Sequence, residues 1–348
     1  MEEEHKNKEP DYLTVIAKLI NVILILLMII VILVVINFTG IGKSEKYEEK
    51  IYLEHTSAPM EKTESQAAWN APDTMDVDKE SNAELIRYGR DLVANTSHYF
   101  GPRGRIFQST NGMNCQNCHL NAGTKPYGNN YGAVASTYPK FRERSGSIES
   151  IHKRVNDCFE RSLNGKAIDS VSKEMQAIVS YIKWLGKDVP KKERPLGAGI
   201  SEIPYLERAA DPLKGKVVYD LKCKSCHGSS GEGKQNEDGK SYQYPPLWGA
   251  YSYNIGAGLY RLSRFASYVK YNMPQGASFE NQQLSNEEAW DVAAFVNSQP
   301  RPQKDLSEDW PKLSGKPVDH PFGPYADVFT EEQHKYGPFE PIAAAKKK

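Results

Sequence analysis

Two short stretches, CQNCH from Cys115 to His119 and CKSCH from Cys223 to His227, repeat the spacing C-x-x-C-H and take up four of the five cysteines in the chain. Three chemistries use cysteines spaced this way. A zinc site wants four ligands from paired clusters, and a redox disulfide wants a βαβ setting; neither surrounds these motifs. The third is covalent haem attachment, in which both thiols add to vinyl groups and the histidine that follows stands beneath the iron. Two such motifs in helix-patterned segments predict two covalently attached haem c groups. Cys115, Cys118, Cys223 and Cys226 carry them, with His119 and His227 as proximal iron ligands.

The surroundings of the motifs also repeat. The first copy opens on NAELIRYGRDLVANTSHYF and closes on SKEMQAIVSYIKWLG; the second opens on DPLKGKVVYDLK and closes on SNEEAWDVAAFVNSQP. Each runs from an amphipathic helix through a haem motif and loops to a closing helix. Between them, KDVPKKERPLGAGISEIP is rich in Pro, Gly and charge and marks a boundary. The expected class is therefore mainly α, with two tandem cytochrome c-like domains at 81–190 and 205–300, joined by a linker at 191–204.

Upstream, Leu13 to Phe38 is a run of Ile, Leu and Val long enough to span a bilayer as a helix. The preceding MEEEHKNKEPD is not net positive and no A-x-A-like site follows, so a retained anchor at 13–38 is expected in place of a cleaved signal. Lysines before and after the run balance and do not orient it. Haem c attachment outside the cytoplasmic membrane does, predicting a cytoplasmic N-terminus at 1–12 and haem domains in the periplasm or otherwise outside. Residues 39–80 read as a polar extracytoplasmic tether, with Trp69 expected to pack on the body. Residues 301–348, Pro-rich with interspersed aromatics, read as an extended strap. The chain carries 44 basic and 44 acidic residues. That balance, without a basic patch interleaved with aromatics, excludes nucleic acid as a partner.

The second axial ligands decide what each haem can do. For the second, Met273 in YNMPQG lies between the motif and the closing helix, and His/Met ligation suits electron transfer. Met75, Met113 and Met175 have weaker settings. The first copy has no matching Met-Pro; it has Cys158, with His98 and His152 as rival ligands. Cys158 lies in SIESIHKRVNDCFERSLNG, read as a helix that Ser147 caps and Gly165 ends, with Ile148, Ile151, Val155 and Phe159 as its apolar stripe. Arg154, Cys158 and Ser162 fall at i, i+4 and i+8 on one side, and Arg142 and Arg144 come from the loop before it. Beside a thiolate-ligated haem, Arg144 and Arg154 would supply fixed donors to a small oxyanion. Lys153 and Arg161 read as a solvated face.

The stretches CQNCHLNAGTKPYG, YPKFRERSG and RVNDCFERSLNG resemble the catalytic domain of the dihaem thiosulfate dehydrogenases, which join two thiosulfates into tetrathionate and can run in reverse. The resemblance extends from Trp69 into the Pro-rich tail. It implies that His119 and Cys158 ligate the active-site haem and that Arg144, Arg154 and Ser162 line the substrate pocket, with Asn156 in the matching VN-x-C context. It implies His227 and a methionine at the exit haem. Some members have a lysine just before that methionine as an alternative ligand; here Asn272 stands there, with Lys270 nearby. The membrane anchor departs from the family's soluble periplasmic members, so the acceptor expected is a cytochrome c or a membrane-bound respiratory component. Two other readings stay open on sequence: a non-catalytic, membrane-tethered dihaem electron-transfer subunit, and a cytochrome that conjugates sulfur to a carrier protein.

Overall fold

The computed structural model describes residues 12–39 and 67–347. They fall into two units that divide between Ser65 and Gln66. The first contributes α1 (Tyr12–Thr39), a 28-residue helix of Ile, Leu and Val whose one charged residue is Lys18. Its described side chains cover Ile16 to Ile32, about 25 Å at 1.5 Å per residue. Among the described residues no helix is long and apolar enough to cross a membrane. Residues 1–11 and 40–66, which hold most of the expected N-terminus and tether, lie outside the described residues.

The second unit is mainly helical. Its elements in chain order are α2 (Ala83–Ala94), a hairpin of β1 (Lys140–Arg142) and β2 (Ser147–Glu149), α3 (Ile151–Arg161), α4 (Lys173–Leu185), α5 (Pro212–Lys222), α6 (Leu262–Asn272) and α7 (Asn286–Ser298). Local sequence explains their starts. Ser172 caps α4 by accepting from Met175 N–H, Asp211 caps α5 with Pro212 in the first turn, and Ser285 with Glu288 forms a reciprocal capping box on α7.

In each domain the opening helix crosses the closing helix at a glycine. A Cβ on Gly89 in α2 would lie 2.0 Å from the Ala177 carbonyl oxygen of α4; one on Gly215 in α5 would lie 1.8 Å from the Asp291 carbonyl oxygen of α7. These approaches are closer than any side chain allows, so the crossings exist only with glycine there. Around the first, Leu92, Met175 and Ala177 are fully buried; around the second, Ala289, Ala293 and Ala294 are. Burying a residue of leucine's size is worth about 1.5–3 kcal/mol.

Packing does not respect the boundary drawn by the linker. Tyr242, Tyr253, Ala257 and Tyr260, from the second copy, complete the core of the first domain. Tyr127 stacks on Phe279 with ring centres 3.8 Å apart, and Asn272 Nδ2 donates to the Tyr127 carbonyl at 3.1 Å. Trp69 is 9 % exposed, lies over Gly132, and donates its backbone N–H to Leu196 at 2.8 Å, so the chain from residue 67 onward is part of the body. The strap is partly helical, at Glu331–Tyr336 and Glu340–Lys346, because Phe339 and Ile342 are anchors in the second core. Asp319 of the strap, fully buried, accepts from Arg261 and from Ser263.

Candidate functional site

The hairpin corrects the expected start of the helix that carries Cys158. Ser147 is in β2 and Ile148 is exposed; the cap is Ser150, whose hydroxyl accepts from Lys153 N–H. Gly146, at φ +61, makes the tight turn between the strands, and α3 then starts three residues later than the pattern suggested. Ile151, Val155 and Phe159 still face the core, which turns Arg154, Cys158 and the terminal Ser162 toward a cavity of about 350 Å³.

Cys115, Cys118 and His119 line the same cavity. The His119 ring is held from one side, its Nδ1 on the Asn129 carbonyl and its face stacked on Tyr131 at 4.5 Å, leaving Nε2 free as a ligand. Burial pushes its pKa down to about 4, so the imidazole is neutral, as an iron ligand must be. Burial also pushes the Cys115 and Cys118 thiols up to about 12, and neither is paired in a disulfide. Among the described residues no group of three or more His, Cys, Asp or Glu side chains could hold a metal ion by itself. The donors fit an iron that brings its own porphyrin nitrogens, with protein ligands only above and below it.

Of the three rivals for the sixth position, only Cys158 reaches the cavity. His98 packs edge-on against Tyr99 and faces a separate cleft; His152 Nε2 sits 3.3 Å from Gln176 Nε2. Arg154 Nη1 donates to Cys158 Sγ at 3.2 Å, and the neighbouring Cys158 raises the arginine's pKa despite burial. Arg144 also lines the cavity. Its Nη1 donates to the Gly256 carbonyl at 2.7 Å, its Nε is 3.9 Å from Asp309, and its guanidinium lies over the Trp310 ring at 5.5 Å. Burial and the neighbouring Arg161 push its pKa down to about 10, which leaves it charged at neutral pH.

Two expectations fail here. Asn156 does not reach the cavity: its amide is consumed by the backbone of Ile168, donating to the carbonyl at 2.9 Å and accepting from the N–H at 3.0 Å, so its work is to tie α3 to the loop that follows. Arg161 is not solvated: its side chain is 12 % exposed and grips both oxygens of Asp309 at 2.7 and 2.8 Å. Sequence reasoning also missed Arg194, Arg261, Arg264 and Trp310, all of which line the first cavity. Arg194 belongs to the linker, Arg261 and Arg264 flank the start of α6 in the second domain, and Trp310 comes from the strap. The i, i+3 spacing of Arg261 and Arg264 was the one available signal, and on its own it reads as a surface.

The second cavity is larger, about 600 Å³, and is lined by Cys223, Cys226, His227 and Met273. His227 is held as His119 is, with Nδ1 on the Pro245 carbonyl at 2.9 Å, and burial lowers its pKa. Met273 ends α6, donating its N–H to Val269. Met175 is core and Met75 is exposed, which removes both as ligands. Lys270 is turned to the Leu284 carbonyl and Asn272 to the carbonyls of Tyr127 and Tyr268. The two cavities share a wall made of Met113, Asn114, Cys118 and Leu259.

Residues 106–190 match the SoxA/TsdA cytochrome c domain family, and residues 213–300 match the cytochrome c family. The chain is similar to the thiosulfate dehydrogenase of Psychrobacter arcticus, 42 % identical over 58 % of this chain and 60 % of that protein. It is 34 % identical to the thiosulfate dehydrogenase of Stutzerimonas stutzeri over 67 % of this chain and 72 % of that one. The solved thiosulfate dehydrogenase TsdBA of Marichromatium purpuratum superposes with a TM-score of 0.64 at 27 % identity, covering 81 % of this chain and 56 % of that structure. The repeated haem motifs, the shared-wall cavities and these likenesses together identify the chain as a dihaem c-type cytochrome of the thiosulfate dehydrogenase family.

Proposed function

We propose that this chain oxidises two thiosulfates to tetrathionate at the first cavity, in a reaction that can be driven backward, and delivers the electrons through the second domain to a respiratory acceptor. His119 and Cys158 would hold the first haem and His227 and Met273 the second, the bound irons supplying one-electron acceptance and transfer.

The observation that carries this reading is the Arg154 to Cys158 contact of 3.2 Å in a cavity lined by arginines. An electron carrier without a substrate has no use for guanidinium groups gathered at its cysteine sulfur. Joining two thiosulfates forms one bond between their outer sulfurs and releases two electrons. It also brings two dianions together. With sulfonate charges about 7 Å apart, at an effective dielectric of about 20, that repulsion is on the order of 10 kcal/mol. Arg154 and Arg144 offset it, each donating to sulfonate oxygens, and Ser162 offers a hydroxyl to another. Trp310 and Asp309 keep Arg144 in place, the first through its ring and the second through its carboxylate. In this reading the Cys158 sulfur contacts the outer sulfur of bound thiosulfate.

We further infer a membrane anchor. The reading rests on the sequence run from Leu13 to Phe38, dominated by Ile, Leu and Val, and on the large apolar side chains from Ile16 to Ile32, which are 47–59 % exposed. The N-terminus would be cytoplasmic and the haem domains outside.

Anaerobic titration of the purified holoprotein with thiosulfate tests the reading. Haem reduction with one tetrathionate formed per two electrons is expected; reduction without free tetrathionate would point to sulfur transfer onto a carrier, and no reduction to an electron carrier alone.

A further inference from the structure

The helix that leads into the second haem motif leaves one face without cover. On α5, Leu213, Val217 and Leu221 are 79 %, 59 % and 77 % exposed, and their i, i+4, i+8 spacing makes one stripe about 12 Å long. The opposite face is occupied: Gly215 meets the Asp291 carbonyl of α7, and Tyr219 is 1 % exposed. Helical geometry therefore cannot hide the stripe by rolling α5. Contiguous apolar side chains left exposed and rimmed by charge are the pattern of an interaction site.

Its position and charge narrow the partner. The stripe ends at Leu221, two residues before Cys223, and Lys222 and Cys223 line the second cavity. Lys214, Lys216 and Lys224 rim it, all exposed; the one acid among them, Asp220, is paired with Lys216. The rim thus carries an excess of two positive charges around an apolar centre. A second copy of this chain would set lysine against lysine across a two-fold axis, which disfavours self-association. An acidic partner meets both features at once.

We propose that Leu213, Val217 and Leu221, with Lys214 and Lys224, form the docking surface for a protein electron acceptor whose contact patch is apolar and rimmed by Asp and Glu. The inference rests on the reading of the second cavity as the electron exit. Each encounter oxidises the reduced chain by one electron and reduces the acceptor's metal centre by one, with no bond made or broken, so two encounters follow each tetrathionate formed. A small contact of this kind gives fast, salt-sensitive, short-lived complexes.

The test uses full-length holoprotein in detergent, reduced with ascorbate so that its outcome does not depend on thiosulfate chemistry, and mixed by stopped flow with an acidic cupredoxin. The lysine-rich mitochondrial cytochrome c serves as the charge-reversed acceptor and ferricyanide as the small one. The acidic acceptor should be reduced faster than the basic one, and its bimolecular rate should fall about tenfold between roughly 20 and 300 mM salt. Leu213→Glu with Leu221→Glu, and separately Lys214→Glu, should each lower that rate about tenfold while ferricyanide is reduced within about twofold of wild type. The ferricyanide control also reports that both variants are folded and loaded. Equal rates with the acidic acceptor in wild type and variants would overturn the proposal. So would a wild-type dimer that the Glu variants dissociate, which makes the stripe a self-association face. So would slower acceptor reduction in phosphatidylglycerol-containing vesicles that the variants relieve, which lays the stripe on a bilayer.

Discussion

Arg142, Arg144, Arg154, Arg194, Arg261 and Arg264 line the first cavity, whereas the cations lining the second are Lys125 and Lys222. Both cavities hold a histidine the same way, by a backbone carbonyl on Nδ1, and both sit in a frame whose end helices cross at a glycine. The frame is common and the charge is not. What differs is supplied by the β1–β2 hairpin, by α3, by the linker and by the start of α6, all outside the repeated motif. Neighbouring elements, one of them from the other domain, turn guanidinium groups into the first cavity, and the proposed anion site is built from them.

If this contrast is right, the first cavity should be fragile toward charge loss. Arg154→Ala should reduce kcat/KM for thiosulfate by a hundred- to a thousandfold, the cost of removing one preorganised donor to an oxyanion, while both haem spectra stay nearly intact. Ascorbate reduction of the second site should be unchanged. An Arg154→Ala enzyme within tenfold of wild type would mean that the arginines belong to the frame.

The strap tests whether the second domain contributes to the first cavity through Arg261. Burial alone would raise the pKa of Asp319, but Arg261 and the Ser263 donors outweigh it and hold the carboxyl below its ordinary value. A depressed folded pKa contributes stability above the unfolded value of about 3.9 and loses it as pH falls through the lower folded one. Asp319→Asn should therefore cost about 3 kcal/mol at neutral pH, with the difference from wild type shrinking in acid below about pH 4, as denaturant titrations at several pH values would show. KM for thiosulfate should rise with it, because Arg261 is released.

Asn156 gives the smallest effect on activity. Asn156→Ala should lower stability by about 1–2 kcal/mol through the two lost backbone hydrogen bonds and leave kcat/KM within about twofold. A large loss of kcat at unchanged stability would put the side chain back in the substrate cavity.

Much of this contrast could be read before the structure was known. The two motifs, the four long helices of the repeats and the Arg154, Cys158 and Ser162 alignment follow from spacing and periodicity, which are local properties. The start of α3 did not, because the Ser147–Glu149 strand pairs with Lys140–Arg142 through a turn, and strand pairing is not recorded in helical periodicity. Asp309 with Arg161, Trp310 with Arg144, and the passage of residues 242–260 into the first core are encounters between distant segments, and no window of sequence holds both partners. Asn156 shows the reverse limit: a residue in the right motif spends its amide on the backbone.

Cys158 is the residue on which the proposed oxidation at the first cavity depends. Cys158→Met holoprotein, titrated anaerobically with thiosulfate while low-spin haem signals are followed by electron paramagnetic resonance, tests it most directly. One signal should change, the other should persist, and thiosulfate should no longer reduce the protein or yield tetrathionate. Two unchanged signals with full thiosulfate-dependent reduction would contradict it.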